Sequence, residues 1–154
     1  DYKTLIGLGY HVHQIPMQRA GTNPIADVKT FIAVYKLLTT IKPDYLLSYT
    51  IKPVIYGTLA AFLARVPYRF AMITGLGYAF QIEDGQEPSK TQKLIYELYR
   101  QSLKWCEKVF FQNPDDLFLF EQLKLLSNST KTVLINGSGV NLTQYDVIDL
   151  PKNY

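Results

Sequence analysis

The 154-residue chain is 47% hydrophobic and 19% charged, enough apolar material for one packed domain, which excludes disorder as the default. No apolar run reaches the roughly 18 residues of a membrane-spanning helix, and the lone Cys106 excludes an internal disulfide and a cysteine-rich metal site. A net charge of +3 permits a mild preference for anionic partners such as phosphates or acidic lipid and no more.

A single cysteine also fits a reducing compartment. The opening residues lack a basic patch followed by an apolar stretch, so no secretory leader is expected. The chain starts on Asp1 and closes on "DLPKNY", which reads as the beginning of a linker; the expectation is a piece cut at both ends.

Tyr2 to Leu8 reads as a short helix ended by Gly9. His11 to Ile15 alternates and reads as a strand stopped by Pro16. After a polar loop, Asn23 supplies an N-cap and Pro24 a first-turn proline. Val28, Phe31, Ile32, Tyr35 and Leu38 then recur at helical spacing, and the helix ends before Pro43. "DYLLSYT" from Asp44 is a strand, and Pro53 opens a helix whose face is Ile55, Leu59, Phe62 and Leu63. "VPYRFAMIT" is the next strand. A polar loop over Glu83 to Lys90 leads into a long helix from Thr91 to Glu107, with Leu94, Ile95, Leu98, Ser102, Trp105 and Cys106 inward. "KVFFQ" is a strand, "NPDD" starts a helix capped by Asn113, and "KTVLI" is the last strand.

Five strands joined by helices predict an α/β fold, a layered sheet of parallel strands with crossover helices. The apolar runs Leu46–Ser48, Phe70–Ile73, Val109–Phe111 and Val133–Ile135 suit strands covered on both sides.

Open α/β sheets bind ligands beyond the carboxyl ends of their strands. Those ends are Met17-Gln18-Arg19, Thr50-Ile51-Lys52, Thr74-Gly75-Leu76-Gly77-Tyr78, Gln112-Asn113 and Asn136-Gly137-Ser138-Gly139, all polar or glycine-rich. Gly75 and Gly77 either serve a turn that needs positive φ or let backbone N–H groups approach a ligand. Phe80 stands where a dinucleotide fingerprint needs its third glycine, and no P-loop lysine follows. Lys52, at a helix start where a cation opposes the dipole, tilts toward an anionic ligand group. Asn113 caps its helix first. His11 and His13 share a strand face without further ligands in reach, so no metal is expected. Lys93, Arg100 and Lys104 stripe the long helix; a solvated face and contact with anionic membrane are the two readings.

"QIPMQRAGTNPIADVKTFIAVYKLL", "KPDYLLSYTIKPVIYGTLAA", "MITGLGYAF", "VFFQNPDDLFLF" and "VLINGSGVNLTQY" follow one another across nearly the whole chain. In that order they resemble the family 4 retaining glycosyltransferases, the branch that builds bacterial capsule and O-antigen glycans. The resemblance implies a GT-B enzyme, with residues 1–141 as a partial N-terminal, acceptor-binding domain, a Rossmann-like parallel sheet with helices on both faces that lacks its first β-α-β unit, and 142–154 as the start of the interdomain linker. It implies transfer of a sugar, with retention, from a nucleotide-sugar to an undecaprenyl-linked glycan. The place implied is the cytoplasm, peripheral at the inner membrane face, with no metal or other cofactor and no nucleic acid as partner. No catalytic residue is identified in these residues. The cleft residues implied are Arg19, Thr50, Lys52, Thr74, Gly75, Gly77, Tyr78, Asn113, Asn136 and Gly137. Many relatives carry a histidine after the strand that here ends in Thr74; the Gly75–Gly77 backbone replaces it, with N–H groups expected to face developing diphosphate charge. Where many relatives have "NGVD", Asn136 to Asn141 reads "NGSGVN". A nucleotide-sugar 2-epimerase of the same fold and a non-catalytic α/β binding module are the alternatives.

Overall fold

The computed structural model describes residues 2–18, 23–77, 80, 87–127, 129–137, 139, 141 and 143. The elements run α1 (Tyr2–Gly7), α2 (Pro24–Ile41), β1 (Tyr45–Tyr49), a π-helical turn (Pro53–Gly57) continuing into α3 (Thr58–Leu63), β2 (Tyr68–Ile73), α4 (Lys90–Leu103), β3 (Lys108–Phe111), α5 (Pro114–Gln122) and β4 (Thr132–Leu134). The four strands are all parallel in the order β1-β2-β3-β4, which is the α/β arrangement expected.

The helix starts are set locally. Asn23 Oδ1 accepts from the N–H groups of Ile25 and Ala26, and Pro24 needs no donor there. Ser89 and Gln92 form a reciprocal capping box that starts α4 at Lys90, one residue before its expected start. Asn113 Oδ1 accepts from the Asp116 N–H at 2.7 Å and starts α5.

One core lies between the sheet and the helices. Ala71, Ile73, Val109 and Phe111 point into it from β2 and β3. Val54, Ile55, Tyr99, Leu103 and Phe120 meet them from the helices. The Phe120 ring sits against Phe80, Tyr99 and Phe111, with centroids 5.2, 5.3 and 5.2 Å away, the latter two edge-on. A second cluster joins Leu38, Phe31 and Val34 of α2 to Ala60, Ala61 and Val66.

Helix ends are tied by arginines. Arg69 donates to the carbonyls of Val66 and Pro67 beyond α3 and to that of Trp105 beyond α4, and lies beside Glu107. Arg100 donates to the Leu123 and Lys124 carbonyls after α5. Each cation meets the negative end of a helix dipole.

Several expectations are corrected. Residues 11–15 form no strand, so the sheet has four strands where five were expected. A strand needs a partner ladder, and among the described residues none pairs with 11–15 or with the outer edge of β1. The α2 face also differs: Phe31, Val34 and Leu38 pack inward while Val28, Ile32 and Tyr35 are exposed. That helix is apolar on more than one side, and the small Ala60 and Ala61 select which side docks. On α3, Leu59 and Phe62 pack inward as expected, while Leu63, the last residue of the helix, is exposed. On α4, Tyr96, Tyr99 and Leu103 face the core and Leu94 does not, since the aromatic rings fill the space around Phe80.

The cover on the sheet also has a cause. Strands added in one direction with right-handed crossovers place every crossover helix on one face. The register aligns Tyr45 with Tyr68, Leu47 with Phe70 and Tyr49 with Met72 on the other face. There Tyr45, Leu47, Tyr49 and Tyr68 are exposed, although their apolar character suits cover on both sides.

Gly57 marks the closest approach of helix to sheet. A Cβ there would stand 2.8 Å from Ser48 Oγ but 3.8 Å from Ser48 Cβ. Gly57→Ala is therefore expected to destabilise the chain by about 1–3 kcal/mol. Adding Ser48→Ala should return most of that loss, a non-additivity that a double-mutant cycle of denaturant midpoints reads directly.

Candidate functional site

The parallel register gathers the strand ends at one rim. Ile73 pairs with Phe111 and Phe111 with Leu134, so Thr74, Gln112 and Ile135 follow at one level and Gly75, Asn113 and Asn136 at the next. Tyr49 pairs with Met72, which brings Thr50 beside them. Of the sequence-predicted residues, Thr50, Thr74, Gly75, Gly77, Asn113 and Asn136 thus collect at the carboxyl rim, with Gly137 following in an exposed turn. Arg19 and Tyr78 lie outside the described residues.

Thr50 sits in the left-handed region at φ +66°. For a β-branched residue that conformation is strained by about 1 kcal/mol or more. It is held because the Thr50 carbonyl accepts from the Val54 N–H at 3.0 Å, launching the helix that follows. Gly75 (φ +147°) and Gly77 (φ +59°) both occupy backbone that side chains rarely adopt. The turn requirement is therefore real. It does not exhaust their use: a Cβ on Gly75 would meet open space, while one on Gly77 would stand 3.1 Å from Ile51 Cδ1. The N–H groups of Gly75, Leu76 and Gly77 make no hydrogen bond with any other described residue.

Lys52 does not stand free. Its Nζ lies 2.7 Å from Asp27 Oδ1, and both side chains are only 14% exposed. Asp27 in the first turn of α2 thus neutralises the cation that opposes the next helix dipole, so the lean toward an anionic ligand is offset by an internal partner. Tyr56, one turn after Lys52, also hydrogen-bonds Asp27; burial, that bond and the carboxylate's charge push its phenol up to about 12. An open cleft of 430 Å³ lies at the start of α2, lined by Pro16, Gln18, Asn23, Ala26 and Lys29 among others.

Asn113 is occupied by its capping bond. Asp116, one turn before Phe120 on the same face of α5, is 6% exposed, and its Oδ2 has no hydrogen-bond partner. Sequence reasoning missed Asp27, Tyr56 and Asp116. Asp27 is 25 residues from Lys52, so no local pattern announces the pair. For Asp116 a signal existed, its i,i+4 relation to the apolar Phe120.

The α4 cations are engaged within the chain. Lys93 pairs with Glu87 at 2.8 Å, Arg100 with Glu97 and the α5 carbonyls, and Lys104 lies 5.0 Å from the Trp105 ring. Burial pushes the Cys106 thiol up to about 12, which leaves it inert near neutral pH. Among the described residues no group of three or more His, Cys, Asp or Glu side chains is placed to hold a metal. No described helix is long and apolar enough to cross a membrane.

Residues 2–113 match the protein family described as "Glycosyl transferase 4-like". The chain belongs to the glycosyl transferase 4-like family. It is also similar to N,N'-diacetylbacillosaminyl-diphospho-undecaprenol alpha-1,3-N-acetylgalactosaminyltransferase of Campylobacter jejuni subsp. jejuni serotype O:2 (strain ATCC 700819 / NCTC 11168), 33% identical over 138 residues. That alignment covers 90% of this chain and 36% of the relative, so the chain spans about a third of the relative's length. The glycosyl transferase 4-like match takes in the first three strand ends and stops at Asn113, the α5 cap.

Two outcomes follow from this geometry. Gly77→Ala is expected to cost about 1 kcal/mol in denaturant unfolding, and Ile51→Val should relieve the contact but not the backbone strain. For Tyr56 the folded pKa lies above the unfolded one, so its contribution is complete below pH 10 and falls as pH rises toward about 12. Tyr56→Phe should flatten part of the stability loss between those values; Tyr99 and Cys106, also raised by burial, keep the rest.

Proposed function

We propose that this chain is the acceptor-side portion of a glycosyltransferase that moves a sugar from a nucleotide-sugar donor to an undecaprenyl-diphosphate-linked glycan in bacterial surface glycan synthesis. The observation that carries the reading is the 33% identity, over 90% of the chain, to a relative whose name specifies sugar transfer onto a diphospho-undecaprenol acceptor. The parallel sheet with its polar, glycine-bearing carboxyl rim supports it, since that rim is where open α/β sheets take ligands.

Residues 1–141 form the partial acceptor-binding domain and 142–154 lead toward a second, donor-binding domain. Transfer proceeds with retention, without a protein-bound metal or other cofactor. Thr50, Lys52, Thr74, Gly75, Gly77, Asn113, Asn136 and Gly137 make up the substrate-binding cleft, and Arg19 and Tyr78 are assigned to it on the sequence alone. The enzyme works in the cytoplasm at the inner membrane face, where its lipid-linked acceptor lies, and anionic lipid is a peripheral partner.

The test is transfer by the whole protein containing this chain, from nucleotide-linked hexoses to an undecaprenyl-diphosphate glycan, with the new linkage read by NMR. Transfer with the donor's anomeric configuration kept is expected. An inverted product would overturn retention; C2 epimerisation of the nucleotide-sugar without transfer would overturn the transferase reading.

A further inference from the structure

We propose that Asp116 is a sugar-binding residue, its buried carboxylate accepting a hydroxyl of a pyranose held against the Gly75–Gly77 backbone. The inference rests on the glycosyltransferase reading and adds to it which residue grips the sugar.

A buried carboxylate oxygen normally has a partner, because its lone pairs lose water on burial. Asp116 Oδ2 has none. Its other fixed relation is the Asn113 cap, which holds the Asp116 N–H and leaves the side chain to point elsewhere. The position is fixed on both sides. Asp116 shares the inward face of α5 with Phe120, whose ring packs 5.2 Å from Phe80. The Phe80 N–H meets the Gly77 carbonyl at 3.3 Å. The register sets Gly75 level with Asn113, and Asp116 lies in the first turn of α5 that Asn113 caps, so the two segments leave neighbouring strand ends.

That juxtaposition selects the ligand. The turn offers N–H donors at Gly75, Leu76 and Gly77, and Asp116 offers an acceptor. A group that meets both must donate and accept at neighbouring atoms, as the hydroxyls of a sugar ring do. A diphosphate esterified at both ends, as in a nucleotide-sugar, can only accept at neutral pH and is repelled by the carboxylate. The glycine turn therefore holds sugar hydroxyls at this end, and diphosphate charge belongs elsewhere in the cleft. Removing an unpaired buried acceptor should not unfold the chain; a site kept for binding at the expense of stability gives that pattern.

The experiment follows backbone amide resonances of the 154-residue chain with a methyl hexoside, a nucleotide-linked hexose or inorganic pyrophosphate. Gly75, Gly77 and Asp116 should respond to a hexose and not to pyrophosphate. Tighter response to the nucleotide-linked hexose assigns the donor's sugar, and tighter response to the glycoside the acceptor's. Asp116→Asn should bind the hexose at least about fivefold more weakly and melt at or above the wild type, while Asp115→Asn, exposed in the same turn, should change neither. Equal hexose binding by Asp116→Asn, or a melting point lowered by about 4 °C or more, overturns the role of Asp116 and leaves the transferase reading standing. Response to pyrophosphate alone does the same. A wild type silent to all three probes removes the rim as a sugar site altogether.

Discussion

The packing of Phe120 against Phe80, Tyr99 and Phe111 fixes the rest of the structure. One ring ties α5 to α4, to β3 and to the far end of the glycine turn. The turn after β2 rests on the same cluster, into which Leu76 packs its side chain between the two glycines. Rigidity is thus supplied from below by aromatic burial and by Leu76, while Gly75 and Gly77 leave their backbone bare. Such an arrangement allows a ligand to approach closely without the turn becoming loose.

Charge is handled in the same economical way. Arg69 and Arg100 are turned onto helix carbonyls, Lys52 onto Asp27 and Lys93 onto Glu87. A mildly basic chain can therefore present few uncommitted cations at its described rim. The sugar recognition proposed there rests on hydrogen-bond geometry more than on net charge.

Much of the fold was legible because its signals are local. Asn23 and Asn113 precede prolines and accept from N–H groups two or three residues on, so the starts of α2 and α5 needed only neighbours to read. The apolar runs of β1 to β4 marked parallel strands for the same reason. What the sequence concealed depends on partners far away or absent. Residues 11–15 alternate like a strand, but alternation supplies no ladder. Val28, Ile32 and Tyr35 and the Phe31–Leu38 side of α2 are both apolar, and only the position of Ala60 and Ala61 decides between them. No residue announces the π turn at Pro53–Gly57, and Leu63 is exposed at the end of α3 although its apolar character suits the core. At the site, glycines and rim residues were readable from strand ends, whereas the Asp27–Lys52 pair and the orphaned Asp116 oxygen exist only in three dimensions.

The outer edge of β1 carries a consequence for how the molecule behaves in a crowd. "YLLSY" has no charge, no proline and no bulge, and no described strand covers its outer hydrogen-bonding groups. An edge of that kind is adhesive: it offers any extended chain a ready ladder and an apolar platform of tyrosines beside it. Handled alone at high concentration, the chain would gather copies of itself through this strand. The same uncharged segment that makes a good interior strand leaves solubility to depend on whatever occupies its free side.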